Sequence, residues 1–159
     1  MSIDNIIFLL IVGVLFLYII LALVRSLRLV PARMEFIVER FGRYNSTLTA
    51  GFHFLIPFVD RVAFTQDLKE HTMDVPSQTC FTKDEIQVEV DGVIYLQVID
   101  SQKASYGITD FQYASIQLAQ TTTRAIIGTL DLDRTFEERE AISGKVVSVL
   151  DSAAAKWGV

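Results

Sequence analysis

The sequence predicts an α+β protein that is held at a membrane by an N-terminal transmembrane helix. Three observations predict this class: a long apolar run opens the chain, strand-like segments occupy residues 28–98, and apolar residues recur at helical spacing from residue 100 onward. Strands that come first and helices that come later favour an α+β arrangement over a doubly wound parallel sheet.

Residues 6–24 are predicted to form the membrane-spanning helix. They include sixteen Leu, Ile, Val or Phe residues and no charged residue. As a helix, this run is about 28 Å long, close to the ~30 Å hydrocarbon core of a bilayer. A cleaved signal peptide is the alternative, but it would need a basic residue before a shorter run, and Asp4 stands there instead. The residues assigned to the span are Ile6, Phe8, Leu10, Val14, Leu17, Ile20, Leu23 and Val24.

Arginine dominates the segment that follows the span. Residues 25–61 contain six Arg and three acidic residues, whereas the rest of the chain beyond them contains eight basic and fifteen acidic residues. The positive-inside rule therefore places the bulk of the chain on the cytoplasmic side. A basic zone beside a span suits anionic lipid headgroups, and the acidic remainder argues against a nucleic-acid partner. The candidates for headgroup contact are Arg25, Arg28, Arg43 and Arg61.

The clearest strand of the strand-like part lies in residues 86–98. Apolar and polar residues alternate there with a period of two, which is typical of a half-buried strand. The apolar face consists of Ile86, Val88, Val90, Ile94, Leu96 and Val98, and the polar face of Gln87, Glu89, Asp91 and Gln97. Further upstream, Pro76 argues against a central position for the strand that contains it.

Two amphipathic helices are predicted in the last third of the chain. Asp110 can cap a helix within residues 111–130, because its carboxylate can accept a hydrogen bond from a first-turn amide. Thr135 and Glu138 have the spacing of a capping box at the start of a second helix. The apolar stripe of that second helix consists of Ile142, Val146, Val149, Leu150, Ala153 and Trp157.

The residues needed for catalysis or metal binding are scarce. The chain has two histidines, His53 and His71, and one cysteine, Cys80, with no metal-ligand spacing among them. A nucleophilic pair of Cys80 and His71 is conceivable, but a packed strand cysteine is the simpler interpretation. No phosphate-binding glycine loop or nucleophile elbow occurs. The sequence therefore predicts no enzyme, no cofactor, no metal and no small-molecule substrate.

A second apolar stretch, GFHFLIPFVDRV at residues 51–62, is too short to span a bilayer and is interrupted by Pro57. Two interpretations stay open from the residues alone. The stretch is either a buried strand of the core or an element that lies at the headgroup boundary of a membrane, where Arg43 and Arg61 could meet phosphates.

Three stretches carry a resemblance to a known family. They are VPARMEFIVERFGRYNSTLTAGFHFLIPFVDRV, DLKEHTMDVPSQTCFTKDEIQVEVDGVIYLQV and LDLDRTFEEREAISGKVVSVLDSAAAKWGV. With the anchor before them, they resemble the SPFH or Band 7 (stomatin/prohibitin/flotillin) superfamily, and within it the paraslipin or stomatin-like branch. The resemblance implies an anchor at residues 1–27, a strand-rich SPFH1 subdomain at 28–83 and a mixed α/β SPFH2 subdomain at 84–159, which is truncated relative to the family.

The resemblance also implies a function. Such proteins are scaffolds without a catalytic site, which assemble into large homo-oligomeric rings or cages around a membrane microdomain, here in a bacterial inner membrane. The partners it implies are lipid, further copies of the chain, and a membrane protein of the NfeD type or a membrane protease. Two rivals remain: a monomeric tethered adaptor and a membrane-bound protease.

The same resemblance assigns a role to the second apolar stretch. The SPFH1 subdomain of the family rests on, or partly in, the membrane leaflet. Carried onto this sequence, that position favours the headgroup boundary over the core for residues 51–62. The residues expected to contact the leaflet are Phe52, Phe54, Leu55, Ile56, Pro57 and Phe58.

Overall fold

The computed structural model describes the backbone of residues 3–159, and the side chains of residues 10–159 other than Ile19, Leu23 and Arg25. The chain divides into two compact units, unit 1 (Met1–Asp67) and unit 2 (Leu68–Val159). In chain order the elements are α1 (Ile3–Ser26), β1 (Leu27–Val30), β2 (Met34–Arg40), β3 (Arg43–Leu48), β4 (Gly51–Phe54), β5 (Asp60–Asp67), β6 (Glu70–Phe81), β7 (Gln87–Gln97), α2 (Ser101–Tyr106), α3 (Phe111–Ile127), α4 (Leu132–Glu137) and α5 (Arg139–Trp157).

The predicted N-terminal helix is present as α1, which runs directly into β1. Of the residues assigned to the span, Leu10, Val14, Leu17, Ile20 and Val24 have exposed side chains. The side chains of Ile6, Phe8 and Leu23 lie outside the described residues. Among the residues that the structure does describe, none of the helices is both long and apolar enough to cross a bilayer.

Unit 1 contains two small antiparallel sheets. The strands β3, β2 and β5 form one sheet in that order, and β1 pairs with β4 in the other. The core cluster consists of Val30, Val38, Leu48 and Leu55, against which Met34, Phe36 and Val62 pack. Ile37 and Val38 of β2 point to opposite faces of the sheet and are both fully buried, so β2 is covered on both faces.

Unit 2 is built on the long hairpin of β6 and β7. The burial of β7 confirms the predicted alternation from Val88 onward, since Val88, Val90, Ile94 and Leu96 are half-buried while Glu89, Asp91 and Gln97 are exposed. Ile86, which the alternation assigns to the buried face, precedes the strand and is exposed. Pro76 lies in β6, which belongs to a two-stranded sheet and so is not a central strand, as predicted, and a bulge interrupts β6 between Val75 and Gln78. The helix α3 packs on β6, and α5 packs on α3. Strands before helices in this unit confirm the α+β class.

The two compact units do not divide the chain where the subdomain assignment does. The units separate after Asp67, whereas the assignment places a boundary after Lys83. The physical reason is the pairing of β6 with β7, which joins Glu70 to Gln97 at one end and Phe81 to Gln87 at the other. A boundary after Lys83 would cut this hairpin at its turn. The assignment of 28–83 and 84–159 to family subdomains stays a prediction.

The helix starts are predicted with mixed success. Asp110 caps α3 as expected, because the backbone amide of Tyr113 donates to its Oδ1 at 2.9 Å. The capping box at Thr135 is wrong. Thr135 lies inside α4, where its backbone amide and its hydroxyl both donate to the carbonyl of Asp131, at 3.0 and 3.1 Å. The second long helix therefore begins four residues later, at Arg139.

We expect Asp110→Ala to lower the free energy of unfolding of the chain by about 1 kcal/mol, because it leaves the first turn of α3 without its side-chain cap. Urea unfolding followed by circular dichroism measures the effect. Asp131→Ala is a matched control, since Asp131 stands at the start of α4 without a side-chain cap bond. A loss as large in the control would contradict the capping role of Asp110.

Candidate membrane-contact surface

The sheet of β1 and β4 presents an apolar face to solvent. In its register Leu27 lies opposite Phe54, and Leu29 opposite Phe52. Residues directly opposite each other in an antiparallel pair project to the same face, so these four side chains lie together. All four are exposed, whereas Val30 on the other face is buried. We call Leu27, Leu29, Phe52 and Phe54 the apolar strand face; contiguous exposed apolar surface of this kind marks a contact site.

One of the residues expected to contact the leaflet belongs to the core instead. Leu55 is only 8% exposed and packs in the cluster with Val30, Val38 and Leu48. The alternation of β4 explains the difference, because Leu55 follows exposed Phe54 and therefore points to the opposite side. Its backbone is also fixed: the amide of Leu55 donates to the carbonyl of Ser26 at 2.9 Å, and the Ser26 hydroxyl donates to the carbonyl of Leu55.

The loop that follows β4 projects its apex into solvent. Ile56 is exposed, Pro57 is half-buried, and Phe58 is 82% exposed with a positive φ of 68°. We call Ile56, Pro57 and Phe58 the loop apex. The ring of Phe58 stacks on the ring of Tyr18 of α1, with centroids 6.2 Å apart and planes 22° from parallel. The loop apex therefore lies beside the helix, about two turns before the helix ends.

A buried carboxylate fixes the base of the loop apex. The side chain of Asp60 is 4% exposed, and it accepts hydrogen bonds from Arg40 Nε at 2.7 Å and Nη2 at 3.1 Å. It also accepts one from the backbone amide of Ile56 at 2.9 Å. The hydrogen bonds from Arg40, more than offsetting burial, hold the pKa of Asp60 below its ordinary value. The loop is thus held by an ionised carboxylate.

The arginines expected to contact headgroups lie around the same surface. Arg28, Arg43 and Arg61 are exposed, and the side chain of Arg25 lies outside the described residues. Arg61 donates to Glu39 at 3.1 Å. A cleft of about 480 Å³ between α1 and the loop apex is lined by Tyr18, Leu21 and Phe58 together with Arg28 and Arg61. Apolar walls with arginines beside them suit a lipid chain and its headgroup.

Sequence reasoning missed two residues of this surface. The sequence places Leu27 in the predicted anchor and Leu29 in the strand-rich part and predicts no leaflet contact for either, although their side chains complete the apolar strand face. The signal was present in the alternation of apolar and basic residues in LRL at residues 27–29, which has the period of a strand.

Unit 2 offers no comparable chemistry. Cys80 is buried, and it lies nine positions from His71 on the same strand, which corresponds to roughly 30 Å and rules out a nucleophilic pair. Among the described residues, no three His, Cys, Asp or Glu side chains converge as metal ligands. An apolar groove of about 810 Å³ runs between the inner face of β7 and α5, lined by residues such as Val90, Ile94 and Val146.

Comparison with known proteins gives a consistent result. The SPFH domain / Band 7 family matches residues 28–159. The chain is 44% identical over 130 residues to human "Stomatin-like protein 2, mitochondrial", which covers 82% of this chain and 36% of that protein. It is 42% identical over 130 residues to a stomatin-like protein of Caenorhabditis elegans, with 82% and 40% covered.

An uncharacterized protein of the archaeon Methanocaldococcus jannaschii is 40% identical over 152 residues, which cover 96% of this chain and 74% of that protein. The chain spans little more than a third of the length of the human relative, so these matches concern the shared domain.

Proposed function

This chain belongs to the SPFH domain / Band 7 family, with stomatin-like relatives, and from that membership we propose that it is a non-enzymatic membrane scaffold. In this proposal α1 crosses the bilayer once, and residues 27–159 lie on the cytoplasmic side of a bacterial inner membrane. Unit 1 rests on the leaflet, and further copies assemble with it into a large ring or cage that encloses a membrane microdomain. A protein of the NfeD type or a membrane protease is the expected partner.

The observation that carries the proposal is the exposed apolar surface at the end of unit 1 where α1 leaves it. The apolar strand face and the loop apex together expose three phenylalanines, Phe52, Phe54 and Phe58. Moving each of these side chains from water into the leaflet would contribute about 1.5–3 kcal/mol of hydrophobic free energy. All three rings stay mostly in solvent, and Phe58 does so even though it stacks on Tyr18.

The contact between Phe58 and Tyr18 supports a specific depth. A helix rises about 1.5 Å per residue, so Tyr18 lies about 9 Å from Val24 along the axis of α1. If α1 crosses the bilayer with its apolar run ending at Val24, the ring stacked on Tyr18 enters the leaflet to that depth. Elements that lie at the headgroup boundary bury their apolar face about 5–10 Å deep, which agrees.

Particle mass tests the scaffold against its rivals. We expect the purified chain, in mild detergent and in nanodiscs of native lipid, to form one species of many copies when measured by mass photometry. A monomeric adaptor would instead remain near the mass of one protomer, which would overturn the proposal. A membrane-bound protease would cleave a peptide library through a defined residue whose replacement abolishes turnover while the assembly persists.

A further inference from the structure

The turn between β2 and β3 carries an exposed phenylalanine that the surface described above does not include. Phe41 stands at the tip of this hairpin and is 83% exposed, more than any other large apolar side chain of the described residues. We call Phe41 and Gly42 the hairpin tip. No ring contact or core cluster of unit 1 includes Phe41 among the described side chains.

The backbone of the hairpin tip makes this choice of residue costly. Phe41 has a φ of 51° and Gly42 a φ of 77°, the pattern of a two-residue type I′ turn. Asn, Asp or Gly is favoured at both positions of such a turn, whereas a bulky side chain at positive φ is a strained outlier. Phe58 shows the same two features, with a φ of 68° and high exposure. Neither residue belongs to the core cluster of unit 1, and strain of this kind concentrates at functional positions.

The register of the sheet brings the two phenylalanines to one end of unit 1. Arg40, the last residue of β2, pairs with Arg43 on one side and with Asp60 on the other. Neighbouring strands are about 4.8 Å apart, so the hairpin tip and the loop apex extend from adjacent strands at the same end of the sheet. The hydrogen bonds between Ser26 and Leu55 bring the end of α1 to this same end.

The charges around the hairpin tip favour an anionic partner. Two carboxylates lie nearby, but Asp60 is bonded to Arg40, and Glu39 to Arg61. Arg43 adds an exposed positive charge at the base of the tip. An exposed aromatic ring close to a cation is typical of an element that enters an anionic leaflet. Each cation near such a surface contributes about 1 kcal/mol to binding.

We infer that the hairpin tip is a second insertion point, through which Phe41 enters an anionic phospholipid leaflet while Arg43 meets the phosphates. The inference rests on the proposed function, in which unit 1 lies on that leaflet. A contact at Phe41, added to those of α1, the apolar strand face and the loop apex, would further restrict rotation of unit 1 on the leaflet and so fix the face that each copy presents to its neighbours.

A single tryptophan placed at the hairpin tip tests the inference. The chain has one tryptophan, Trp157, so Trp157→Phe provides a background in which Phe41→Trp is the only indole. The full chain is reconstituted in vesicles of phosphatidylcholine and phosphatidylglycerol, with or without bromine on the acyl chains. We expect the emission of Phe41→Trp to shift to shorter wavelength in these vesicles, and to lose most of its intensity when the chains are brominated.

Two further variants in the same background separate the possible outcomes. Phe58→Trp reports the leaflet contact of the proposed function, and Phe136→Trp places an indole at an exposed position of unit 2. Quenching of Phe58→Trp without quenching of Phe41→Trp would overturn this inference and leave the proposed leaflet contact standing. Absence of quenching at both positions would overturn both. A wavelength shift of Phe41→Trp without quenching would show contact with protein, such as a second copy, and would also overturn the inference.

Discussion

Replacing Phe54 and Phe58 together by aspartate is expected to release unit 1 from the leaflet without unfolding it. Phe54 is 60% exposed and Phe58 82% exposed, so their removal costs the core little, within about 0.5 kcal/mol as for ordinary surface sites. In the leaflet the same two rings contribute about 3–6 kcal/mol by burial, and two carboxylates would be excluded from it. An Ile56→Trp reporter in the Trp157→Phe background measures contact by quenching with brominated lipid. We expect that quenching to be lost.

Leu55→Asp is the matched control for this variant, because Leu55 lies between the two replaced residues in sequence and is 8% exposed. A carboxylate among Val30, Val38 and Leu48 would be buried without a partner, and we expect a loss of at least about 3 kcal/mol in the free energy of unfolding. If the Phe54 and Phe58 double variant unfolds like Leu55→Asp, the two rings belong to the core. If it stays folded and quenching persists, the leaflet contact lies elsewhere.

Asp60→Asn is expected to lower the free energy of unfolding of unit 1 by about 2–3 kcal/mol near neutral pH. The substitution keeps the shape of the side chain but removes the charge that accepts from Arg40 and from the amide of Ile56. Hydrogen bonds to an ionised, buried group are the strongest of their kind. Urea unfolding measures the loss, and amide exchange at Ile56 should become faster because the loop apex is released.

The pH dependence of this effect has a defined sign. The pKa of Asp60 is lowered in the folded chain, chiefly by its hydrogen bonds from Arg40. Its stabilisation is therefore complete above the ordinary carboxyl pKa of about 3.9 and is lost as the pH falls through the lower folded value. We expect the difference between Asp60→Asn and the unmodified chain to be largest at neutral pH and to shrink in strong acid.

Arg61→Gln is the control for Asp60→Asn. Arg61 is on the strand β5, next to Asp60, but its side chain is 77% exposed, and its ion pair with Glu39 should contribute less than about 1 kcal/mol. An equal loss in both variants, or a difference for Asp60→Asn that does not change with pH, would contradict the role assigned to the buried carboxylate.

Local patterns in the sequence predict those parts of the fold that local forces determine. The alternation along β7 is visible in the sequence because one face of a single strand is buried along its length. The Asp110 cap depends only on residues three positions apart. The capping box at Thr135 fails for a related reason: the motif satisfies the local rule, but the helix α4 has already begun at Leu132. Competing local signals of similar strength cannot be ranked from the sequence.

The candidate surface required information that is not local. Phe54 and Leu55 are adjacent in sequence and both apolar, and only the pairing of β4 with β1 determines which of them faces the core. In the sequence Asp60 has no evident partner, and only the register of β2 with β5 places Arg40 opposite it. Phe41 looks like an ordinary strand residue in the sequence, and its exposure follows from the position of the turn. Registers between strands distant in sequence set the first two, and the β2–β3 hairpin sets the third.

The junction between α1 and β1 has a mechanical consequence. Helix α1 ends at Ser26 and strand β1 begins at Leu27, so no residue between them can act as a joint, and the bonds between Ser26 and Leu55 brace the corner. A spanning helix tilts when the bilayer becomes thinner than its apolar length. In the proposed function, where α1 crosses the bilayer, a stiff corner would pass that tilt on to the sheets of unit 1, and their orientation on the surface would change with the thickness of the lipid.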